Sequence, residues 1–211
     1  MTDNNQTIFL SALAAERVIA IIRSPSATQA LESAKALIAE GIRIIEISLN
    51  TPGAVEAIGE LAAYCADIPG VVVGAGTVLD AGTVERVGAA GARFFVAPVF
   101  DAEAVAAAND CGMAAIPGCA TPTEMLRAHE VGAAAIKVFP ATLWTPAGLQ
   151  NVVRAMPFLR LVPTGGVSID QAPEWLAAGA AGLGIGSALD LTSNVRRLRE
   201  GVSPYLARDM S

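Results

Sequence analysis

The sequence repeats one unit along its whole length, a short apolar segment followed by an alanine-rich segment with helical spacing. Apolar segments of about four to eight residues that are rich in Val, Ile and Phe are typical of strands buried on both faces. Eight strands are predicted, at 18–23, 42–49, 71–77, 94–98, 113–118, 135–140, 160–164 and 182–186. No linker or change of composition separates them, so the sequence predicts one domain over residues 1–211.

Alternating strands and helices predict a parallel sheet, either open and doubly wound or closed into a barrel. An open, doubly wound sheet would normally carry a glycine-rich GxGxxG loop after its first strand, and this chain has RSPSAT there. Eight strand–helix units instead fit a (β/α)8 TIM barrel, with an extra N-terminal helix at residues 7–15 across its bottom. Glycines that suit helix ends precede five of the strands: Gly41, Gly91, Gly112, Gly132 and Gly179.

The composition excludes several classes of partner. With 14 Lys plus Arg against 20 Asp plus Glu, the formal charge is −6 and the isoelectric point is near 4.8, which argues against nucleic-acid binding. Hydrophobic residues make up 53% of the chain, yet no apolar run reaches the roughly 18 residues of a membrane span. The N-terminus lacks the layout of a secretory signal, and the three cysteines form no CxxC pair, so we expect a cytoplasmic protein with reduced thiols.

Polar residues near the ends of several predicted strands share faces, as a barrel active site requires. Glu46, Ser48 and Asn50 lie on one face of the second strand, and Lys137 and Phe139 lie on one face of the sixth. Other polar residues share a face with an earlier apolar residue: Arg23 with Ile21, Thr77 with Val73, and Thr164 with Val162. The predicted substrate-binding residues are Arg23, Asn50, Thr77, Pro98, Phe139 and Thr164.

Lys137 and Glu46 are the predicted catalytic residues. The chain has only two lysines, and Lys137 lies within the apolar segment AAAIKVFP. Burial lowers the pKa of an amine and raises that of a carboxyl, which would give a nucleophile for a Schiff base and a partner for proton transfer. The alternatives are structural: an ion pair between the two residues, a lysine that extends to solvent, or a glutamate that only neutralises Lys137 or Arg23.

A phosphate site is predicted after the seventh and eighth strands. Backbone N–H groups at such turns bind phosphate in many barrels, and the candidate positions are Gly165, Gly166, Gly186 and Ser187. Glycine turns alone are common, so only their place in the fold supports this interpretation. His129 is the single histidine and has no second ligand nearby in sequence, so we expect no metal site and no cofactor.

Seven recognisable segments span nearly the whole chain, in the order IAIIRS, EISLNTP, GAGTVL, PGCATPTE, IKVFPA, PTGGV and GIGSAL. Together they resemble the class I aldolases that act on 2-keto-3-deoxy-6-phosphogluconate (KDPG) and 2-keto-3-deoxy-6-phosphogalactonate (KDPGal). The resemblance implies that Lys137 forms the Schiff base, that Glu46 transfers protons and that Thr77 contacts the pyruvate carboxylate. It also implies phosphate binding by Gly165, Gly166 and Ser187, and a homotrimer.

The resemblance is divided between the two substrate branches. Asn50 stands where KDPG-type enzymes usually carry an arginine that holds the carboxylate, and Arg23 would supply the charge instead. Asn50, Arg23, PGCAT and LWTPAGL look more like the KDPGal branch, whereas Thr164 looks like the KDPG branch. The two substrates are epimers at C4, so a hydroxyl in that wall would change the preference through one hydrogen bond.

The expected function is therefore cleavage of KDPGal to pyruvate and glyceraldehyde 3-phosphate. The first alternative is an aldolase for KDPG and 4-hydroxy-2-oxoglutarate. More distant alternatives are a phosphosugar isomerase or epimerase, in which Glu46 is the base and Lys137 an electrostatic stabiliser, and a non-catalytic protein that binds phosphometabolites.

Overall fold

The computed structural model describes residues 5–186, 189 and 192–206, in which strands and helices alternate. The strands are β1 Val18–Ile22, β2 Ile44–Ser48, β3 Val72–Gly76, β4 Phe94–Val96, β5 Ala114–Ile116, β6 Gly118–Cys119, β7 Ile136–Val138, β8 Leu161–Pro163 and β9 Leu183–Ile185. The helices are α1 Asn5–Glu16, α2 Ala27–Ala39, α3 Ala54–Tyr64, α4 Ala81–Ala89, α5 Ala102–Asp110, α6 Pro122–Glu130, α7 Pro146–Ala155, α8 Ala172–Ala177 and α9 Thr192–Val202.

All eight predicted strands are present, but the fifth is divided. Pro117 separates β5 from β6, because proline has no N–H to donate to a neighbouring strand. Its carbonyl still accepts a hydrogen bond from the Lys137 N–H at 2.9 Å. The predicted segment 113–118 thus contributes β5 to one sheet and the start of β6 to another.

The strands form two sheets in which all pairs are parallel. One sheet has six strands in the order β5-β4-β3-β2-β1-β9, and the other has three in the order β6-β7-β8. The sheets meet along both sides: Thr164, just after β8, bridges to Gly184 of β9, and the Ala134 N–H donates to the Ala115 carbonyl of β5 at 2.9 Å. The protein is therefore an α/β protein with parallel strands.

Two apolar clusters account for the alternation of residues along the strands. The larger cluster lies between the strands and the helices and includes Ile45 and Ile47. The smaller cluster draws side chains from both sheets, including Ile44, Phe94 and Val162. Helix α1 covers this smaller cluster with Phe9, whose ring centroid lies 5.0 Å from that of Phe94, so the predicted N-terminal helix is confirmed.

The helix ends follow the sequence signals. The five glycines predicted at helix ends all have positive φ, between 68° at Gly112 and 104° at Gly91, a region that costs glycine nothing. Side chains accept hydrogen bonds from the first-turn N–H groups of five helices: Ser26, Asp80, Asp101, Thr121 and Thr145. In the described part of the chain, no helix has both the length and the apolar character that crossing a membrane requires.

Candidate active site

Glu46 and Lys137 lie on the face of their strands that the sequence predicts. On β2, Ile45 and Ile47 belong to the outer cluster, so the intervening Glu46 points to the opposite side. On β7, Ile136 and Val138 belong to the same outer cluster, and Lys137 lies between them. Both ionisable side chains are buried, with 3% of Glu46 and 6% of Lys137 exposed. The sequence-based assignment of these faces is confirmed.

A cavity of about 930 Å³ brings most of the predicted site residues together. Its lining includes nine of them: Arg23, Glu46, Thr77, Lys137, Phe139, Thr164, Gly165, Gly166 and Gly186. Asn50 and Pro98 are not in this lining, and Ser187 lies outside the described residues. The cavity also reaches Ser33, Leu37 and Glu40 beside α2, which the sequence pattern does not single out.

The amine of Lys137 has an environment that favours its neutral form. Burial lowers its pKa, the charge of Glu46 opposes this change, and the positive charge of Arg23 adds to it. Its Nζ lies 4.4 Å from the centroid of the Phe139 ring, a contact that favours the protonated amine and so opposes the effect of burial. Lys35, the other lysine of the chain, is exposed on α2, with its Nζ 4.7 Å from the centroid of the Tyr64 ring.

The carboxyl of Glu46 titrates near neutral pH. Burial raises its pKa to about 7, although the positive charges of Lys137 and Arg23 oppose the change. Among the ion pairs of the described residues, none joins Glu46 directly to Lys137. Both groups line the same cavity, and the charge of each opposes the effect of burial on the pKa of the other.

Gly76 makes the position of the Glu46 side chain possible. The two residues lie on neighbouring strands, and a Cβ at position 76 would stand 1.8 Å from Oε1 of Glu46. At Gly76 the Glu46 carboxyl crosses the adjacent strand, which leaves no room for a side chain at this position.

Thr77 reaches the cavity by a route that strand alternation does not predict. Alternation places it with Val73, which belongs to the outer cluster, so that prediction is wrong. The strand ends at Gly76, and Thr77 has a φ of 63°, which is rare for a β-branched residue and turns the side chain towards the cavity. Its Oγ1 lies 3.0 Å from Oγ of Ser48.

Thr164 forms part of the wall with its hydroxyl already committed as a donor. The side chain is 4% exposed, and its Oγ1 donates to the Val162 carbonyl at 3.1 Å. A Cβ at Gly184 would meet this Oγ1 at 2.3 Å, so glycine at 184 leaves room for the threonine. The Thr164 hydroxyl can therefore face a substrate only as an acceptor.

Consecutive glycines after β8 form another part of the cavity lining. Gly165 has a φ of 82° and Gly166 a φ of 92°, so both have the backbone conformation that favours glycine. A Cβ at Gly165 would lie 2.9 Å from the Phe139 ring, and one at Gly166 would lie 2.3 Å from Thr142. Small residues here keep backbone N–H groups accessible to an anion.

Asn50 and Pro98 lie beyond the ends of their strands. β2 ends at Ser48, and Asn50 is an exposed turn residue whose N–H reaches Ser48 Oγ at 3.5 Å. β4 ends at Val96, and Pro98 is half-buried. A Cβ added at Gly118 would lie 2.4 Å from the carbonyl carbon of Pro98, so the two backbones are in close contact. The substrate-binding roles of Asn50 and Pro98 stay predictions.

The remaining reactive groups differ from the Lys137 and Glu46 pair. Burial and the charge of Glu124 raise the pKa of the Cys119 thiol to about 12, so this cysteine is a poor nucleophile. Within the described residues, no three His, Cys, Asp or Glu side chains are grouped so that they could ligate a metal.

Comparison with known proteins identifies the family. A family model described as "Aldolase: KDPG and KHG aldolase" matches residues 10–198. The chain belongs to the KDPG and KHG aldolase family. A 2-dehydro-3-deoxy-phosphogluconate aldolase of Treponema pallidum (strain Nichols) is 39% identical over 173 residues, 81% of this chain and 80% of the relative.

The same family includes relatives named for the other epimer. A 2-dehydro-3-deoxy-6-phosphogalactonate aldolase of Escherichia coli (strain K12) is 34% identical over 173 residues, 82% of this chain and 83% of the relative. One similar solved structure is a crystal structure of KDPG aldolase from Legionella pneumophila with pyruvate captured at low pH as a covalent carbinolamine intermediate. Its sequence is 30% identical to this chain, and the superposition has a TM-score of 0.78 and covers 95% of this chain and 97% of the Legionella pneumophila chain. Family membership makes the chain an aldolase, a carbon–carbon lyase, rather than an isomerase or a non-catalytic binding protein.

Proposed function

We propose that the protein is a Schiff-base aldolase that cleaves KDPGal to pyruvate and glyceraldehyde 3-phosphate, with Lys137 as the nucleophile. The observation that carries the proposal is the buried Lys137 amine, 6% exposed, in the same cavity as the carboxyl of Glu46. Burial lowers the pKa of this amine, which increases the neutral fraction that can attack a ketone. The covalent pyruvate adduct of the Legionella pneumophila relative supports the same chemistry.

The reaction begins with attack of the Lys137 amine on the C2 ketone, which gives a carbinolamine. Glu46, with its pKa near 7, donates the proton with which the C2 oxygen leaves as water, and an iminium forms. The carboxylate then accepts the proton of the C4 hydroxyl as the C3–C4 bond breaks, and the bonding electrons move into the iminium. The aldehyde leaves, the enamine gains a proton at C3, and hydrolysis releases pyruvate and the free amine.

The other cavity residues bind the substrate. Thr77 donates to the carboxylate of the keto acid, and Arg23 supplies positive charge near it. The glycine turn at Gly165 and Gly166, with Gly186, binds the phosphate through backbone N–H groups. Binding of this distant phosphate holds C2 in reach of Lys137, so part of the phosphate binding energy lowers the barrier to cleavage. Asn50, Pro98, Phe139 and Ser187 complete the proposed site.

Preference for KDPGal rests on Asn50 and Arg23, which resemble that branch. Thr164 favours the second candidate, KDPG with 4-hydroxy-2-oxoglutarate, as does the 39% identity to a phosphogluconate aldolase. Because its hydroxyl donates to the Val162 carbonyl, Thr164 would accept a hydrogen bond from the C4 hydroxyl of one epimer. Pyruvate release measured from both purified epimers tests the preference, which fails if KDPG has the higher kcat/KM.

Borohydride reduction in the presence of pyruvate tests the Schiff base. We expect an irreversible mass increase on the peptide that contains Lys137, and none in the Lys137→Arg variant, which also loses aldol cleavage. Lys35→Arg is the matched control, because Lys35 is exposed and lies outside the cavity lining. An unmodified Lys137 in wild-type protein, or cleavage that survives Lys137→Arg, would disprove the mechanism.

We also propose that the two sheets close into one (β/α)8 barrel over residues 1–211 and that the protein is a cytoplasmic homotrimer. Hydrogen bonds between the sheets on both sides support closure, and the three free cysteines suit a reducing compartment. Three exposed apolar side chains follow the carboxyl ends of β3, β4 and β7 and support an interface: Leu79, Val99 and Leu143. Light scattering that gives a monomer would contradict the trimer.

A further inference from the structure

We propose that Ser48 is a positioning residue that directs the Thr77 hydroxyl towards the substrate carboxylate. The inference rests on the proposed carboxylate-binding role of Thr77 and adds a residue that does not itself line the cavity. Its basis is the contact of 3.0 Å between Ser48 Oγ and Thr77 Oγ1.

The backbone around the two hydroxyls fixes their separation. Ser48 pairs with Gly76 across β2 and β3, and the Leu49 N–H donates to the Gly76 carbonyl at 2.8 Å. The Ser48 carbonyl accepts from the Thr51 N–H at 2.9 Å, which holds the end of β2. Ser48 is fully buried at 0% exposure, so water does not compete for its hydroxyl.

The proposal includes a direction for the hydrogen bonds at Ser48. An amide N–H can only donate, so Ser48 Oγ is the acceptor in its contact with the Asn50 N–H at 3.5 Å. Either hydroxyl of the pair can donate to the other, and the proposal assigns the donation to Ser48, so that Thr77 Oγ1 is the acceptor. The Thr77 proton is left to donate into the cavity, as a carboxylate requires.

The conformation of Thr77 makes such a support necessary. Its φ of 63° places a β-branched residue in the left-handed region, outside the regular strand. The Ser48 hydroxyl supplies a fixed contact that selects one orientation of the Thr77 side chain. Without it, the hydroxyl would sample other rotamers, and ordering it on binding would reduce affinity.

A double-mutant cycle with Ser48→Ala and Thr77→Val tests the proposal. The measured quantity is the pyruvate concentration that half-saturates borohydride trapping, with the maximal trapping rate determined alongside. We expect Ser48→Ala to raise the half-saturating concentration about fivefold, the effect of one hydrogen bond, and to leave the maximal rate within about twofold. In the Thr77→Val background, Ser48→Ala should have no further effect.

Thr83→Val is the control for loss of a buried hydroxyl. Thr83 lies on α4 outside the cavity lining, where its hydroxyl donates to Asp80 at 3.0 Å, so the variant should lose stability without a change in half-saturation. Thr77→Ala replaces Thr77→Val if the latter does not fold.

Two results would overturn the inference: an equal effect of Ser48→Ala in both backgrounds, which indicates a general structural role, or no effect on half-saturation in either. Failure of the proposed function gives a different result, since wild-type protein would then show no adduct on Lys137.

Discussion

Replacing Glu46 with glutamine should change how the stability of the protein depends on pH. In the folded state the pKa of Glu46 is raised from 4.5 to about 7 by burial. Between these values the unfolded chain has released the proton and the folded protein has kept it, so wild-type stability falls as the pH rises through this window. Glutamine cannot release a proton, so the variant does not share this loss.

The size of the effect follows from the change in pKa. A shift from 4.5 to about 7 corresponds to about 3 kcal/mol of differential free energy between the two protonation states. Because the side chain is only 3% exposed, little of this is screened by solvent. Relative to wild type, we therefore expect the unfolding free energy of Glu46→Gln to increase by about 2 to 3 kcal/mol between pH 5 and pH 8.

Urea unfolding at pH 5 and pH 8 measures this difference, and two variants control for other causes. Glu60→Gln changes an exposed carboxyl on α3 and should show no such increase. Lys137→Met removes a positive charge that lowers the pKa of Glu46, so in that variant stability should fall over a wider pH range. A Glu46→Gln difference from wild type that is the same at both pH values, within about 0.5 kcal/mol, would refute the reasoning.

Two further predictions concern Gly76 and the cysteines. Gly76→Ala places a Cβ 1.8 Å from Oε1 of Glu46, so the carboxyl must move and turnover should fall about 100-fold. The control Gly82→Ala, on the exposed face of α4, should keep its turnover. Full turnover in Gly76→Ala would contradict the geometry. Iodoacetamide at pH 7.5 should label exposed Cys111 well before buried Cys119, because burial raises the pKa of the Cys119 thiol to about 12. Peptide mass spectrometry over time measures both labelling rates. Equal rates would contradict the assigned burial.

Strand periodicity was enough to predict the face of both proposed catalytic residues. Within a strand, side chains alternate, so the neighbours Ile45 and Ile47 determine the direction of Glu46, and Ile136 and Val138 determine that of Lys137. The same rule fails where the strand stops. Thr77 and Asn50 lie beyond the last residues of β3 and β2, and there the local φ and turn geometry decide the direction of the side chain.

Contacts between distant parts of the chain could not be predicted from local patterns. Ser48 was placed on the correct face, but its contact with Thr77 depends on the register of β2 with β3 and on a positive φ. The cavity wall at Ser33 and Leu37 consists of ordinary helix residues, whose sequence carries no signal for a site. The break in the fifth predicted strand does have a signal in the sequence, because Pro117 lies inside an apolar segment and a proline there indicates a break in the strand.

Glu46 belongs to the six-stranded sheet and Lys137 to the three-stranded sheet, so neither sheet holds the complete pair. A folding chain in which only β1 to β5 have paired has the carboxyl in place without the amine. Helical circular dichroism would already register such a partly assembled molecule, because α2 to α5 precede β6. Enzyme activity would not, since it counts only molecules in which the amine has come to face the carboxyl, and during refolding it should return after the helical signal.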